Sequence, residues 1–407
     1  MKTNEVRRGD ENGAIPAGPV GGGRFAGITR NVVVAGLVSL FTDISSEMIY
    51  PVLPLFLMNV LGAGAATVGL IEGIGEATAS LLKVFSGWLS DRSGRRKPLM
   101  LIGYGLSDLT KPLLALTAAW PQVLAIRFAD RFGKGLRGAP RDALIADATP
   151  PAVRGKAFGF HRAMDTTGAA IGPLAAFGML ALFANDYRLV FAVAAIPGVL
   201  AVLILAFALR ERRPGGHDGA APRLGFASLG RDYVVFVLIA TLFAIGNSSD
   251  AFLILRAQDL GVAAALVPLA YFGFNIVHAV LAMPLGSLSD RVGRRGVIVA
   301  GYLVFAAVYV GFALAAQPWL VWPLFAAYGA YYALTEGVQR AYVTDLVPAQ
   351  RRGSALGTFN AITGAAALPA SIVGGLLWQE VAPAATFYYG AAFAALAALL
   401  FMVVPRR

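Results

Sequence analysis

Cysteine is absent from the 407-residue chain, histidine occurs three times, and only 14% of residues are charged. Without cysteine there are no disulfides and no thiolate ligands for a metal. So little charge excludes an ordinary soluble domain, in which about a quarter of residues are charged. With no His, Asp and Glu set at metal-ligand spacing, the sequence makes no case for a metal site. A Gly-Lys-Ser/Thr phosphate loop is missing too, so nothing indicates ATP as the source of drive. No short apolar core with a small-residue cleavage site opens the chain, which argues against a signal peptide. Residues 1–30 are instead polar and Gly-rich and predict a disordered tail.

What is abundant is apolar sequence, 57% of the chain. It falls into twelve runs, at 32–57, 65–90, 97–119, 121–145, 155–183, 187–210, 232–259, 263–289, 296–316, 318–346, 353–379 and 383–405. Each is long enough for the roughly 20 residues that cross a bilayer as a helix. Each is continuously rather than alternately apolar, which excludes a transmembrane barrel. The net charge of +11 is concentrated in the even-numbered connections. Arg92, Arg95, Arg96 and Lys97 follow helix 2, Arg154 and Lys156 follow helix 4, and Arg212, Arg213 and Arg223 follow helix 6. Arg291, Arg294 and Arg295 follow helix 8, and Arg351 and Arg352 follow helix 10. The odd connections are nearly bare. This pattern orients a membrane protein rather than recruiting nucleic acid, and predicts cytoplasmic even loops and termini.

The stretch Gly87-Trp88-Leu89-Ser90-Asp91-Arg92-Ser93-Gly94-Arg95-Arg96 recurs 199 residues later as Gly286-Ser287-Leu288-Ser289-Asp290-Arg291-Val292-Gly293-Arg294-Arg295, with eight of ten positions identical. Asp147 with Arg154-Gly155 is echoed by Asp345 with Arg352-Gly353, and Ser45-Ser46-Glu47 by Ser248-Ser249-Asp250. These are marks of an internal duplication. The polar segment containing Pro214-Gly215-Gly216 divides the copies. The expected organisation is a cytoplasmic tail (1–30), a six-helix bundle (31–210), a cytoplasmic linker (211–230) and a second six-helix bundle (231–407).

On these residues the chain resembles the major facilitator superfamily from about residue 31 to its end. The resemblance implies an all-α membrane protein of twelve transmembrane helices in two six-helix pseudo-repeats. It makes the repeated motif (Gly87, Asp91, Arg92, Gly94 and Arg95; Gly286, Asp290, Arg291, Gly293 and Arg294) a gating element. Asp91 would latch onto the start of helix 11 near Gly353, and Asp290 onto that of helix 5 near Gly155. A carboxylate at the positive N-terminal end of a helix suits that role; the alternative is that the cluster only sets topology. Gly168, Gly172 and Pro173 in helix 5 are similar to the G-x-x-x-G-P motif of proton-coupled antiporters, though Ala176-Phe177 stand where a Gly pair is usual. Small residues and a proline also suit plain close packing. Either Arg127 or Arg131 answers to the family's helix 4 arginine.

Charge inside the spans is the informative feature, because an ionisable group in hydrocarbon costs roughly 2.5–3.5 kcal/mol on insertion scales. Helix 4 carries Arg127, Asp130, Arg131, Lys134, Arg137, Arg141 and Asp142, and cannot face lipid. Asp43 with Glu47, and Glu72 with Glu76, are pairs four residues apart on one helical face. Crowded carboxylates with little water favour holding a proton, so these four are the proton-coupling candidates. Arg127, Arg131, Lys134, Asp250, Tyr331 and Glu336 are candidates for a substrate cavity, since transporter sites lie near the midplane between repeats. Asp108 with Lys111, and Arg162 with Asp165, read as structural pairs, and His161 and His278 as polar interior residues.

The expectation is a secondary transporter of the inner membrane, multi-pass and monomeric, not an enzyme. It would need no cofactor, use the proton gradient, and export a small organic molecule, anionic or zwitterionic, by alternating access. Alternatives are proton-coupled uptake of an anionic metabolite and a non-transporting sensor or assembly subunit. The partners expected are substrate, protons and lipid, with no nucleic acid.

Overall fold

The computed structural model describes residues 28–93, 95–150, 153–211, 230–348 and 351–404. Among them are twelve long helices: α1 (Arg30–Asn59), α2 (Ala65–Ser93), α3 (Arg96–Leu116), α4 (Trp120–Asp147), α5 (Arg154–Leu182), α6 (Tyr187–Ala208), α7 (Arg231–Asp259), α8 (Ala264–Val292), α9 (Arg294–Leu314), α10 (Val321–Asp345), α11 (Arg352–Glu380) and α12 (Pro383–Val403). Every expected run is one of these, with ends displaced by three residues at most. The predicted tail up to residue 27 and the linker from 212 to 229 lie outside the described residues.

Nine of the twelve are long and apolar enough to cross a membrane on length and composition alone. The other three, α2, α4 and α10, hold most of the charges that face inward. Two helices are interrupted. In α1 the break spans Tyr50–Val52, where Pro51 precedes a second segment from Leu53 to Asn59. In α7 it spans Asn247–Asp250, before a second segment from Ala251 to Asp259. Gly293, at φ 98°, ends α8 in a conformation that favours glycine.

Helices α1–α6 and α7–α12 form two bundles that meet along two seams, α2 against α11 and α5 against α8. Small residues bring α2 and α11 into backbone contact. A Cβ on Gly69 would lie 2.1 Å from the Ser371 carbonyl oxygen, and one on Gly375 2.7 Å from that of Ala65.

The two ends of the molecule differ. At the end with the bare loops, Phe56, Leu57 and Ile71 share one apolar core with Phe252, Leu255 and Phe387 of the other bundle. At the end with the basic loops, the first bundle's remaining clusters, such as Val38, Tyr104, Leu144 and Leu205, are its own. A Cβ added at Gly155, Gly286 or Gly353 there would meet nothing within 4 Å. Among the described residues the bundles share an apolar core at the bare end, and the first bundle's clusters at the basic end are its own.

Candidate functional site

Most charges of helix α4 are paired inside the first bundle, and Lys134 faces the cavity. Arg127 Nη2 donates to both oxygens of Glu72, at 2.7 and 2.8 Å, and its Nη1 to Asp130 Oδ2 at 3.1 Å. The Ser107 hydroxyl holds the other oxygen of Asp130. Arg131 stands 3.9 Å from Glu72 and 4.0 Å from Asp130. Glu72 is 6% and Arg127 5% exposed. A second node surrounds Asp108, which is wholly buried. It accepts from Lys111 Nζ at 2.6 Å and Thr42 Oγ1 at 2.9 Å, with Arg137 3.9 Å away. The Arg137 guanidinium lies 4.3 Å from the centre of the Tyr104 ring. An unpaired ion in such a place would carry a desolvation penalty of several kcal/mol.

A cavity of ≈ 170 Å³ is walled by helices of the first bundle and reaches Tyr271 of the second. Its charged walls are Glu47 of α1, Glu76 of α2, Lys111 of α3 and Arg127, Asp130, Arg131 and Lys134 of α4, with Tyr50 of α1 and Tyr271 of α8 beside them. Glu76 and Lys134 are open to it, and Glu47 Oε2 is buried with no hydrogen-bond partner among the described residues. Asp43 stands one turn before Glu47. Two glycines of α5 press on these acids: a Cβ on Gly168 would lie 2.9 Å from Asp43 Cβ, and one on Gly172 2.7 Å from Glu47 Cβ. With the buried Pro173 they let α5 close on α1 where the acids are.

In the second bundle, Tyr328 donates to Asp250 Oδ1 at 2.7 Å and Tyr332 to Oδ2 at 3.0 Å. Tyr331 faces elsewhere: it is buried against Phe305, and its hydroxyl accepts from Asn247 at 3.2 Å. Glu336 lies toward the basic end, 3.4 Å from His278, 3.3 Å from Arg340 and 3.7 Å from Arg162 of the other bundle. Arg162, expected only to pair with Asp165, thus also ties α5 to α10, while His161 bonds Ser39 at 2.8 Å.

The repeated motif binds each bundle to itself. Arg96 meets Asp147 at 2.7 Å, and Lys97 donates to the Ala206 and Leu209 carbonyls at 2.8 and 2.7 Å, closing the end of α6. In the second copy Arg294 meets Asp345, and Arg295 donates to the Phe401 carbonyl near the end of α12. Asp290 pairs with Arg294 at 3.1 Å rather than with the start of α5. Gly87 packs by Ala139, Arg92 lies over Trp88, and Arg95 and Arg291 are exposed. Gly94 and the Asp91 side chain lie outside what is described.

Sequence reasoning missed the Tyr328–Asp250–Tyr332 clasp and the Arg162–Glu336 tie. The spacing of two tyrosines four apart on α10 was the available signal for the first. Among the described residues no group of three or more His, Cys, Asp or Glu is arranged for a metal ion.

Two duplicated six-helix bundles, with a polar cavity in the first that reaches the second, have the architecture of a secondary transporter. The Major Facilitator Superfamily model matches residues 35–255 and 234–407. An uncharacterised MFS-type transporter of Methanocaldococcus jannaschii is 36% identical over 383 residues, spanning 93% of this chain and 95% of that one. The class C tetracycline resistance protein of Escherichia coli is 28% identical over 375 residues, spanning 85% and 92%. Among solved structures, a POT family transporter in complex with a thioalcohol-conjugated peptide superposes with a TM-score of 0.78 at 12% identity, covering 92% of this chain and 96% of that one. The chain belongs to the major facilitator superfamily, and it is a transporter rather than an enzyme.

Proposed function

We propose that the chain exports a small organic molecule in exchange for protons, by alternating access, as a monomer in the inner membrane with both termini in the cytoplasm. On this reading the bundles 31–210 and 231–407 rock about their two seams, and the structure is the inward-open state. In support, the bare end is closed by the shared apolar core, while the first bundle's apolar clusters at the basic end hold no residue of the second. The gating motifs, Asp91 and Asp290 with their glycines and arginines, then close the basic end in the opposite state.

The observation that carries the proposal is a contrast. Glu72, Asp108 and Asp130 are bound to bases, whereas Asp43, Glu47 and Glu76 form no ion pair among the described residues and stand at the cavity or beside it. An intramembrane acid without a fixed base is suited to take up and release a proton. Export, rather than uptake, is supported by the likeness to a tetracycline resistance protein. An anionic cargo, which Arg127 and Arg131 suggested, has less support, because both face Glu72 and Asp130.

The test is transport by purified protein in proteoliposomes, using a compound found by thermal-shift screening. Glu76→Gln or Asp43→Asn should abolish accumulation driven by a pH gradient and preserve substrate exchange. Loss of exchange together with accumulation in both variants would sink the coupling role.

A further inference from the structure

The charged groups on the cavity wall divide into those already used and those that are not. Arg127 is bonded to Glu72 and Asp130, and Asp130 also accepts from Ser107 at 2.5 Å. Lys111 donates to Asp108 at 2.6 Å and to the Ser46 hydroxyl at 2.7 Å. Arg131, Lys134, Glu47 and Glu76 line the same cavity and make no hydrogen bond among the described residues.

Arg131 is the sharpest case. It is 7% exposed, and its nearest acids, Glu72 and Asp130, stand at 3.9 and 4.0 Å, beyond hydrogen-bond reach. Those carboxylates offset its charge but leave its N–H groups unmet, the buried Nε included. A buried donor without an acceptor is unfavourable, and the planar fork of a guanidinium matches the two oxygens of a carboxylate. Lys134, three residues further along α4 and open to the cavity, adds a second cation. The α1 wall asks for the reverse. Glu47 Oε2 is a buried acceptor with no donor, so that carboxylate calls for a cationic N–H group.

The uncharged wall is mostly apolar: Ile49, Leu114 and Ile126, with the Tyr50 and Tyr271 rings 5.4 Å apart. The volume of ≈ 170 Å³ compares with the roughly 150 Å³ that holds a benzene molecule, so the occupant is compact.

Resting on the transport reading above, we propose that the cargo is an α-amino acid with a compact apolar side chain, bound as its zwitterion in this cavity. Its carboxylate takes donors from Arg131 and Lys134, its ammonium donates to Glu47, and its side chain lies against the apolar wall. A zwitterion meets both sets of unused groups and leaves the charge balance around Arg131 as it is. A simple anion leaves Glu47 without a donor, and a simple amine leaves Arg131 without an acceptor. Glu76 stays free for the coupling proton.

The test is binding by the purified full chain in nanodiscs, read by thermal shift and then by isothermal titration, with alanine, valine, leucine, isoleucine and methionine as probes. At least one should raise the melting temperature and bind. Its methyl ester, which keeps only the ammonium, and its N-acetyl derivative, which keeps only the carboxylate, should each bind at least about tenfold more weakly. Glu47→Gln should remove most of the preference over the N-acetyl derivative. Arg131→Lys, which keeps the charge beside Glu72 and Asp130, should narrow the preference over the methyl ester. Binding that survives either blocking group unchanged, or no binding by any of the five, overturns the assignment. The blocked series on the unaltered protein decides it even where a variant does not fold. Binding in the expected order without movement into proteoliposomes counts against the transport reading alone. Transport of other molecules with no amino acid bound counts against the amino acid alone.

Discussion

Glu72 and Glu76 lie one turn apart on α2, and the structure gives them opposite surroundings. Glu72 receives two short bonds from Arg127, faces Arg131, and is 6% exposed. Replacing it with Gln leaves two buried guanidinium groups with Asp130 as their shared acid and turns an amide N–H₂ toward a donor. Removing one partner of a buried ion pair typically costs about 3–5 kcal/mol. At about 2–4 °C per kcal/mol for a unit of this size, the melting temperature should fall by roughly 6–20 °C. Glu76 opens to the cavity and forms no ion pair among the described residues, so Glu76→Gln should leave the melting temperature nearly unchanged. The assay is a thermal-shift measurement in detergent on both variants beside proton-driven accumulation and exchange in proteoliposomes. Glu72→Gln should lose stability and all transport together, and Glu76→Gln should lose only the proton-driven part. Equal melting temperatures would refute the division of roles, as would a stable Glu72→Gln protein that has merely lost coupling.

Gly172→Ala should destabilise by about 1–3 kcal/mol through overpacking against α1, whereas Gly159→Ala, whose Cβ meets nothing within 4 Å, should melt like the unaltered protein. Glu336→Gln should lengthen spin-label distances between the basic ends of α5 and α10, with only a few-fold change in populations because Arg162 is largely solvent-exposed; unchanged distances would show that the tie is incidental. Cysteine at Ser93 should be labelled only from the cytoplasmic side and cysteine at Gln317 only from outside, and the reverse would overturn the orientation.

The helices were legible because each span must be an unbroken apolar run, and the duplication because its motifs repeat nearly unchanged. That α4 could not face lipid was legible from its charges alone. Which charges were spent on each other was not. Glu72 and Arg127 are 55 positions apart, and Asp250 and Tyr332 are 82 apart, so their meeting depends on how neighbouring helices are rotated. Apolar periodicity does not report that rotation when most faces are apolar. For the same reason Tyr331 and Tyr332, adjacent in sequence, went to a buried aromatic cluster and to Asp250 respectively. Gly168 and Gly172 were visible as a motif, but their contact with Asp43 and Glu47 follows only once α5 is laid on α1.

The contact between α2 and α11 has a kinetic meaning. Where Gly69 meets the Ser371 carbonyl and Gly375 that of Ala65, the surfaces are nearly bare backbone. Interlocked leucines would have to lift out of their holes and change rotamer before either helix tilted. Glycine against a carbonyl has no rotamer to change, so the two helices can roll over one another with little steric friction. On the alternating-access reading proposed above, the seam would act as a bearing, and the barrier to switching would fall instead on the apolar seal at the bare end, which must separate.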